Sequence, residues 1–285
     1  MPAKPIAAFT FLPLLVLLAP QAALPVQPPA GAPVLSQEQA QALVRRALGN
    51  ELEATENRDH LMRFTLFKSS PRLSTEKKII ETRDGDVARL VAVNGQPLSA
   101  PAEQREQARL TSLLNNPAQQ MNRKQSEEND IARALKVLRA LPNAFLYQYA
   151  GPGQSPAGPV EKFTFRPNPA FNPADMELHV LTAMAGQLWI NPTAERAVHL
   201  EGSLQHGVDF GWGILGHLNR GGWITIDQAN VADNQWRTVH MQLVMSGRVL
   251  FFTRSYNTLQ QQSHFQTVPE NLGYREAIRM LRADP

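Results

Sequence analysis

The chain has no cysteine at all, which excludes disulfides, thiolate zinc sites, thiol catalysis and acylation of a lipoprotein cysteine. It also lacks a long hydrophobic run. The longest, Ile6 to Ala19, is broken only by Thr10 and Pro13, and its length of about 14 residues is too short to span a bilayer comfortably. Charge of one sign is missing as well. The 28 Lys and Arg are offset by 25 Asp and Glu, so the net charge of +3 leaves no basic footprint for nucleic acid. No G-x-S-x-G elbow is present, and Gly202-Ser203 lacks the second glycine. The carboxylates Glu195, Glu201, Asp209 and Asp227 are scattered over strand-like runs, and no enzyme signature stands out.

What is present is an ordinary globular balance, 43% hydrophobic and 19% charged, with ample material for a core. Lys4 ahead of the apolar run and the small residues Ala22 and Ala23 behind it read as a cleavable secretion signal over residues 1–23. A Pro- and Ala-rich tether follows over 24–35, and a single domain over 36–285. The expected location is therefore the periplasm or the exterior, with no membrane span left after cleavage.

The domain opens on a helix. Ser36 and Gln39 form a capping-box pair, Ala40, Leu43, Val44, Ala47 and Leu48 make an apolar stripe, and Gly49 is its expected end. Alternation then predicts strands over His60–Lys68, Glu76–Arg83 and Asp86–Val93, the last two joined at Asp84-Gly85. Ala108 to Leu114 and Lys124 to Leu141 have helical periods, broken at Asn115-Asn116-Pro117 and stopped at Pro142. Strands follow at Phe145–Tyr149, Val160–Arg166, Gly186–Ile190, Arg196–Leu204, Trp223–Val231, Trp236–Ser246 and Arg248–Tyr256, with a loop over Gly151–Pro159 and a short helix in Asn271–Leu281. Within Arg196–Leu204 the pattern sets Arg196, Val198, Leu200 and Leu204 on one face and Ala197, His199, Glu201 and Ser203 on the other. Likewise Val239, Met241, Leu243 and Met245 share a face.

About ten strands with one helical block argue for an α+β fold whose antiparallel sheet is open, strongly curved and covered by helices on its concave side. Four stretches carry a resemblance: FTFRPNPAFNP (Phe163 to Pro173), MAGQLWINP (Met184 to Pro192), DFGWGILGHLNRGGW (Asp209 to Trp223) and GRVLFFT (Gly247 to Thr253). Together with the order of elements, they resemble an uncharacterised family of exported bacterial proteins with the LolA/RseB-like fold, an unclosed barrel plugged by helices. The resemblance spans Ser36 to the C-terminus. It implies a fold and a compartment, and the better-known proteins of that fold bind lipid chains or lipoproteins in the barrel cavity; the expected function is a binding or carrier protein for a hydrophobic ligand, a lipid or lipoprotein acyl chain. The alternative is an envelope interaction or sensory module of RseB type that binds a protein segment, without catalysis.

Candidate cavity or rim residues are Trp189, Phe210, Trp212, Trp223, Met241, Leu243 and Met245, with Arg220 as a partner for an anionic head group. Aromatics supply apolar area, and methionine adapts to varied chains. The segment Phe210 to Leu218 alternates large apolar residues with glycine, which fits a barrel corner or an apolar rim. His199, His206 and His217 lie near Asp209, but their spacing is not that of a metal site, and no cofactor is expected.

Overall fold

The computed structural model describes residues 35–57, 59–210, 216–249 and 252–284, the side chain of Val249 excepted. The signal and tether readings lie outside them, apart from Leu35. Helix α1 (Gln37–Glu56) begins as its sequence dictates. The Ser36 hydroxyl accepts from the Gln39 N–H and the Gln39 side chain accepts from the Ser36 N–H. It does not stop at Gly49. A Cβ there would meet nothing within 4 Å, so this glycine sits on an open helix face and costs only about 1 kcal/mol relative to alanine. Packing of Leu48 just before it and of Glu51 beyond it carries the helix for seven more residues.

Strands β1 (Met62–Ser70), β2 (Leu73–Ile80), β3 (Val87–Val93) and the short β4 (Gln96–Pro97) form the first meander. Helices α2 (Ala100–Asn115) and α3 (Pro117–Ala144) follow, broken between Asn115 and Pro117 as the sequence predicts. Pro142 does not end α3. It lies in the last turn, where a missing N–H removes only one bond before the chain straightens at Phe145.

Strands β5 (Phe145–Ser155) and β6 (Gly158–Pro167) contain most of the stretch expected as a loop. They pair continuously from Phe145↔Pro167 to Ser155↔Gly158, with an irregularity between Tyr149 and Gly151. Gly151 at φ +98° takes up that irregularity, and β5 is an edge strand, where Pro152 is tolerated. A 3-10 helix (Met176–Ala183) leads into β7 (Met184–Asn191), β8 (Arg196–Leu204), the short β9 (Val208–Phe210) and β10 (Gly216–Leu218), β11 (Trp223–Ala232), β12 (Gln235–Val249) and β13 (Phe252–Thr267). Helix α4 (Tyr274–Ala283) closes the chain.

All pairings are antiparallel. The sheet runs β4-β3-β2-β1-β13-β12-β11-β8-β7-β6-β5, with β9 and β10 branching from β12. Its two ends do not meet. The fold is thus α+β with an unclosed antiparallel sheet, in agreement with the sequence. Strand β13 is the hinge of the topology, because it joins the last meander to the first through Met62↔Thr267 and its neighbours.

Two separate cores hold helices to this sheet. In one, Leu43, Val44, Ala47 and Leu48 of α1 and Leu141 and Ala144 of α3 meet Phe163, Phe165, Leu188, Ile190 and Leu204. In the other, Leu110 and Leu113 of α2 and Ala277, Ile278 and Leu281 of α4 press on Ile80 and Val87. Each such side chain contributes about 1.5–3 kcal/mol when fully buried.

Candidate functional site

The first core is incomplete. Between α1, α3, the 3-10 helix and the sheet lies a cavity of about 510 Å³, within the size range of small-molecule sites. Its walls come from Leu48, Val137, Leu138 and Leu141 on the helices and from Phe165, Leu188, Leu200, Ile224, Ile226 and Met245 on the strands. By strand register its polar groups gather at one end. Glu51, Thr55, Ala197, Gln228 and Thr238 sit there, with His199 between them turned to the far face of the sheet beside Trp189 and Asp227, whereas Val180, Leu181, Met184 and Met245 line the other.

Glu51 is the electrostatic centre of the polar end. It is 7% exposed, and its carboxylate accepts from Arg196 at both oxygens (Nε at 2.7 Å, Nη2 at 2.9 Å), from the Ala197 N–H at 3.0 Å and from Gln228 Nε2 at 2.9 Å. Four donors satisfy a buried carboxylate, and the bidentate guanidinium neutralises it. The same cluster fixes α1 against β8, helped by Arg46 Nε donating to Glu195 and Asn50 Nδ2 to the Glu195 carbonyl. Glu51 stands three and four residues past Leu48 and Ala47, on the continuation of the apolar stripe. A carboxylate on a buried stripe was the signal for it, hidden by ending the helix at Gly49.

Two β-bulges decide what faces the cavity. On β8 the partner of Trp189 is His199 and that of Ile190 is Ala197, so Val198 is the extra residue. Ala197 thereby joins the main core, and Val198 packs instead with Val160 and Trp236 in a small separate cluster that includes Trp189. This corrects the simple alternation, which set Val198 with Leu200 and Leu204. On β12, Gln228 pairs with Thr238 and Asp227 with His240, leaving Val239 as the extra residue. Thr238 and Met245 both line the cavity although six residues, an even number, lie between them, so the bulge at Val239 shifts the phase of the alternation along β12.

The candidate residues divide accordingly. Met245 lines the cavity. Met241 and Leu243 pair directly with Ile226 and Ile224 and share their face beside it. Trp189 is not a wall residue. It follows Leu188 on β7 and therefore points to the opposite face, where it lies 4.4 Å from the His199 ring, under Lys162, and donates to Gln187. Trp223 is turned from the cavity in the same way, being next to Ile224 and paired with Ser203. Phe210 packs on the edge of the main core and lines a separate hollow of about 190 Å³ with Met176, Leu218 and Tyr256. Arg220 is exposed in the turn between β10 and β11. Trp212 lies outside the described residues.

Across the strands, Asp227 accepts from Nδ1 of His199 at 2.6 Å and of His240 at 3.0 Å, while His217 bonds Asp209 at 2.8 Å. These are carboxylate-oriented imidazoles. Among the described residues no group of three or more His, Asp or Glu could hold a metal ion.

No family model matches the chain, and no curated protein matches it. Among solved structures it is similar to an outer membrane lipoprotein-sorting protein domain from Vibrio parahaemolyticus, at 10% identity and TM-score 0.29, covering 79% of this chain and 93% of that one. It is also similar to MucB in its complex with MucA(peri), at 9% identity and TM-score 0.22, covering 79% and 94%. These TM-scores lend nothing to function, which has to be argued from the site.

Proposed function

We propose that this chain is an exported, non-catalytic binding or carrier protein that takes an apolar ligand, a lipid or lipoprotein acyl chain, into the cavity between α1, α3 and the sheet. The observation that carries the reading is the cavity itself, about 510 Å³ with mainly aliphatic and aromatic walls. Along β12 it reaches from Thr238 to Met245, roughly 20 Å of strand. Binding would be driven by removal of apolar surface from water, at about 25 cal/mol per Å². Among the described residues no helix is long and apolar enough to cross a membrane.

A second reading, recognition of a protein segment in the RseB manner, is supported by the outer edge of β5, an eleven-residue strand at the end of the sheet that pairs with no further strand among the described residues. An extended segment could add there as a further strand. Native mass spectrometry of protein purified from the exporting cell separates the two. A co-purified lipid released on activation supports the carrier. Ligand-free protein that also fails to take up an acyl ester would overturn it in favour of the edge.

A further inference from the structure

We infer that the cavity selects acyl chains in uncharged, ester- or amide-linked form and discriminates against free fatty acids. The inference rests on the carrier reading and specifies its ligand class. It follows from a charge account of the polar end. Among the described wall residues, Glu51 and His199 are the only ones with titratable side chains. Arg196, which could have met a carboxylate, is already held by Glu51 through two bonds of 2.7 and 2.9 Å, and only 13% of its side chain is exposed. The His199 ring, beside Trp189 and held by Asp227 at 2.6 Å, turns to the far face of the sheet. Among the described wall residues a ligand carboxylate entering this end would find no free cation. It would lose hydration beside a Glu51–Arg196 pair that is already neutral and offers it no counter-charge.

The neutral groups of the same end have the opposite preference. The Thr238 hydroxyl on the wall, with the Thr55 hydroxyl donating to the Glu51 carbonyl at 2.8 Å, offers donor and acceptor capacity to an ester, an amide or a hydroxyl. Such groups carry no charge and need no counter-ion. The apolar end, with Leu181, Met184 and Met245, then holds the chain. A charged head group, where the ligand has one, stays beyond the cavity.

The test is displacement of the neutral dye Nile red by laurate and by its glycerol monoester at pH 8, where laurate is ionised in water. The expected result is that the ester displaces at a concentration at least about tenfold lower than the acid, a tenfold ratio being about 1.4 kcal/mol. Thr238→Lys, which adds a cation to the polar wall opposite Gln228, should shrink or invert that ratio. The melting temperature of the variant shows whether it is folded. Should it not fold, Thr238→Arg and the wild-type ratio carry the test. Equal displacement by acid and ester overturns this inference and leaves the carrier intact. Displacement by neither overturns the carrier reading, and this inference with it.

Discussion

The two halves of the sheet carry helices in different ways. Over β2 and β3, α2 and α4 close on a fully packed apolar core, and the hollow of about 330 Å³ beside it is walled largely by Lys77, Glu106, Arg109 and Arg123. Leu110, Leu113, Ile278 and Leu281 are at most 1% exposed, and Arg89 ties three elements by donating to Glu103 and to the carbonyls of Leu281 and Asp284. Glu106 is also recruited to this closure, accepting from the Leu90 N–H and from Arg109. Over β6 to β12, α1 and α3 rest on the sheet through one edge of their contact and leave about 510 Å³ open behind it. Both halves are amphipathic helices on an antiparallel sheet. The difference is that polar side chains in the first half lock the helices over a filled core, whereas in the second half Glu51, Arg196 and Gln228, with Arg46 and Asn50 on Glu195, pin the C-terminal half of α1 and leave the space beside it open. A protein that needs stability and an empty interior at once can divide the two tasks in this way.

The sharpest way to break that comparison is to remove the pin. Glu51→Ala leaves the Arg196 guanidinium buried without its counter-charge, and should cost about 3–5 kcal/mol in chemical denaturation. Loss of less than about 1 kcal/mol would show that the pair does not hold α1. Next comes the filled half. Leu110→Ala, at a fully buried position, should cost about 2–5 kcal/mol through lost transfer energy and a new void. Met245→Ala, on a wall that already faces empty space, should cost only about 1 kcal/mol by the same measurement. Equal losses would mean that the cavity is as tightly packed as the other core.

How much of this was legible in sequence depends on periodicity. The capped start of α1, the break at Asn115 to Pro117 and the meander β1 to β3 follow from cap, turn and alternation signals, and the structure places each there. The open antiparallel α+β arrangement follows from their order. The site was harder to read. A bulge inserts one residue without changing composition, so Val198 and Val239 could not be recognised as phase breaks, and Trp189 could not be assigned to the face away from the helices. Strand β13 runs to Thr267, eleven residues past the expected end at Tyr256, because its Gln-rich second half has no apolar alternation. Glu51 was missed for a simpler reason, the weight given to Gly49 as a helix stop.

A smaller effect sharpens the account of the filled half. Burial raises the Glu106 carboxyl, but the Arg109 side chain and Leu90 N–H bonds, then the charges of Arg109 and Lys77, more than offset it and hold it below its ordinary value of 4.5. A depressed carboxyl contributes stability that is present above the unfolded value and is lost as the pH falls through the folded one. Melting curves of wild type and Glu106→Gln should therefore differ at pH 7 and converge on acidification below 4.5. Curves that stay parallel down to the acid limb would show that the charge of Glu106 contributes nothing to folding.

The central claim is that the space behind α1 and α3 is a binding cavity rather than a packing defect. Ile226→Trp tests it most directly, because the larger side chain fills the middle of that space from β11. Binding of the glycerol monoester of laurate and thermal unfolding should be followed on the same preparation. The account predicts saturable binding by the wild type, a loss of at least about tenfold in the variant, and a melting temperature unchanged or raised, as cavity filling commonly gives. Unaltered binding by a folded Ile226→Trp variant would contradict it.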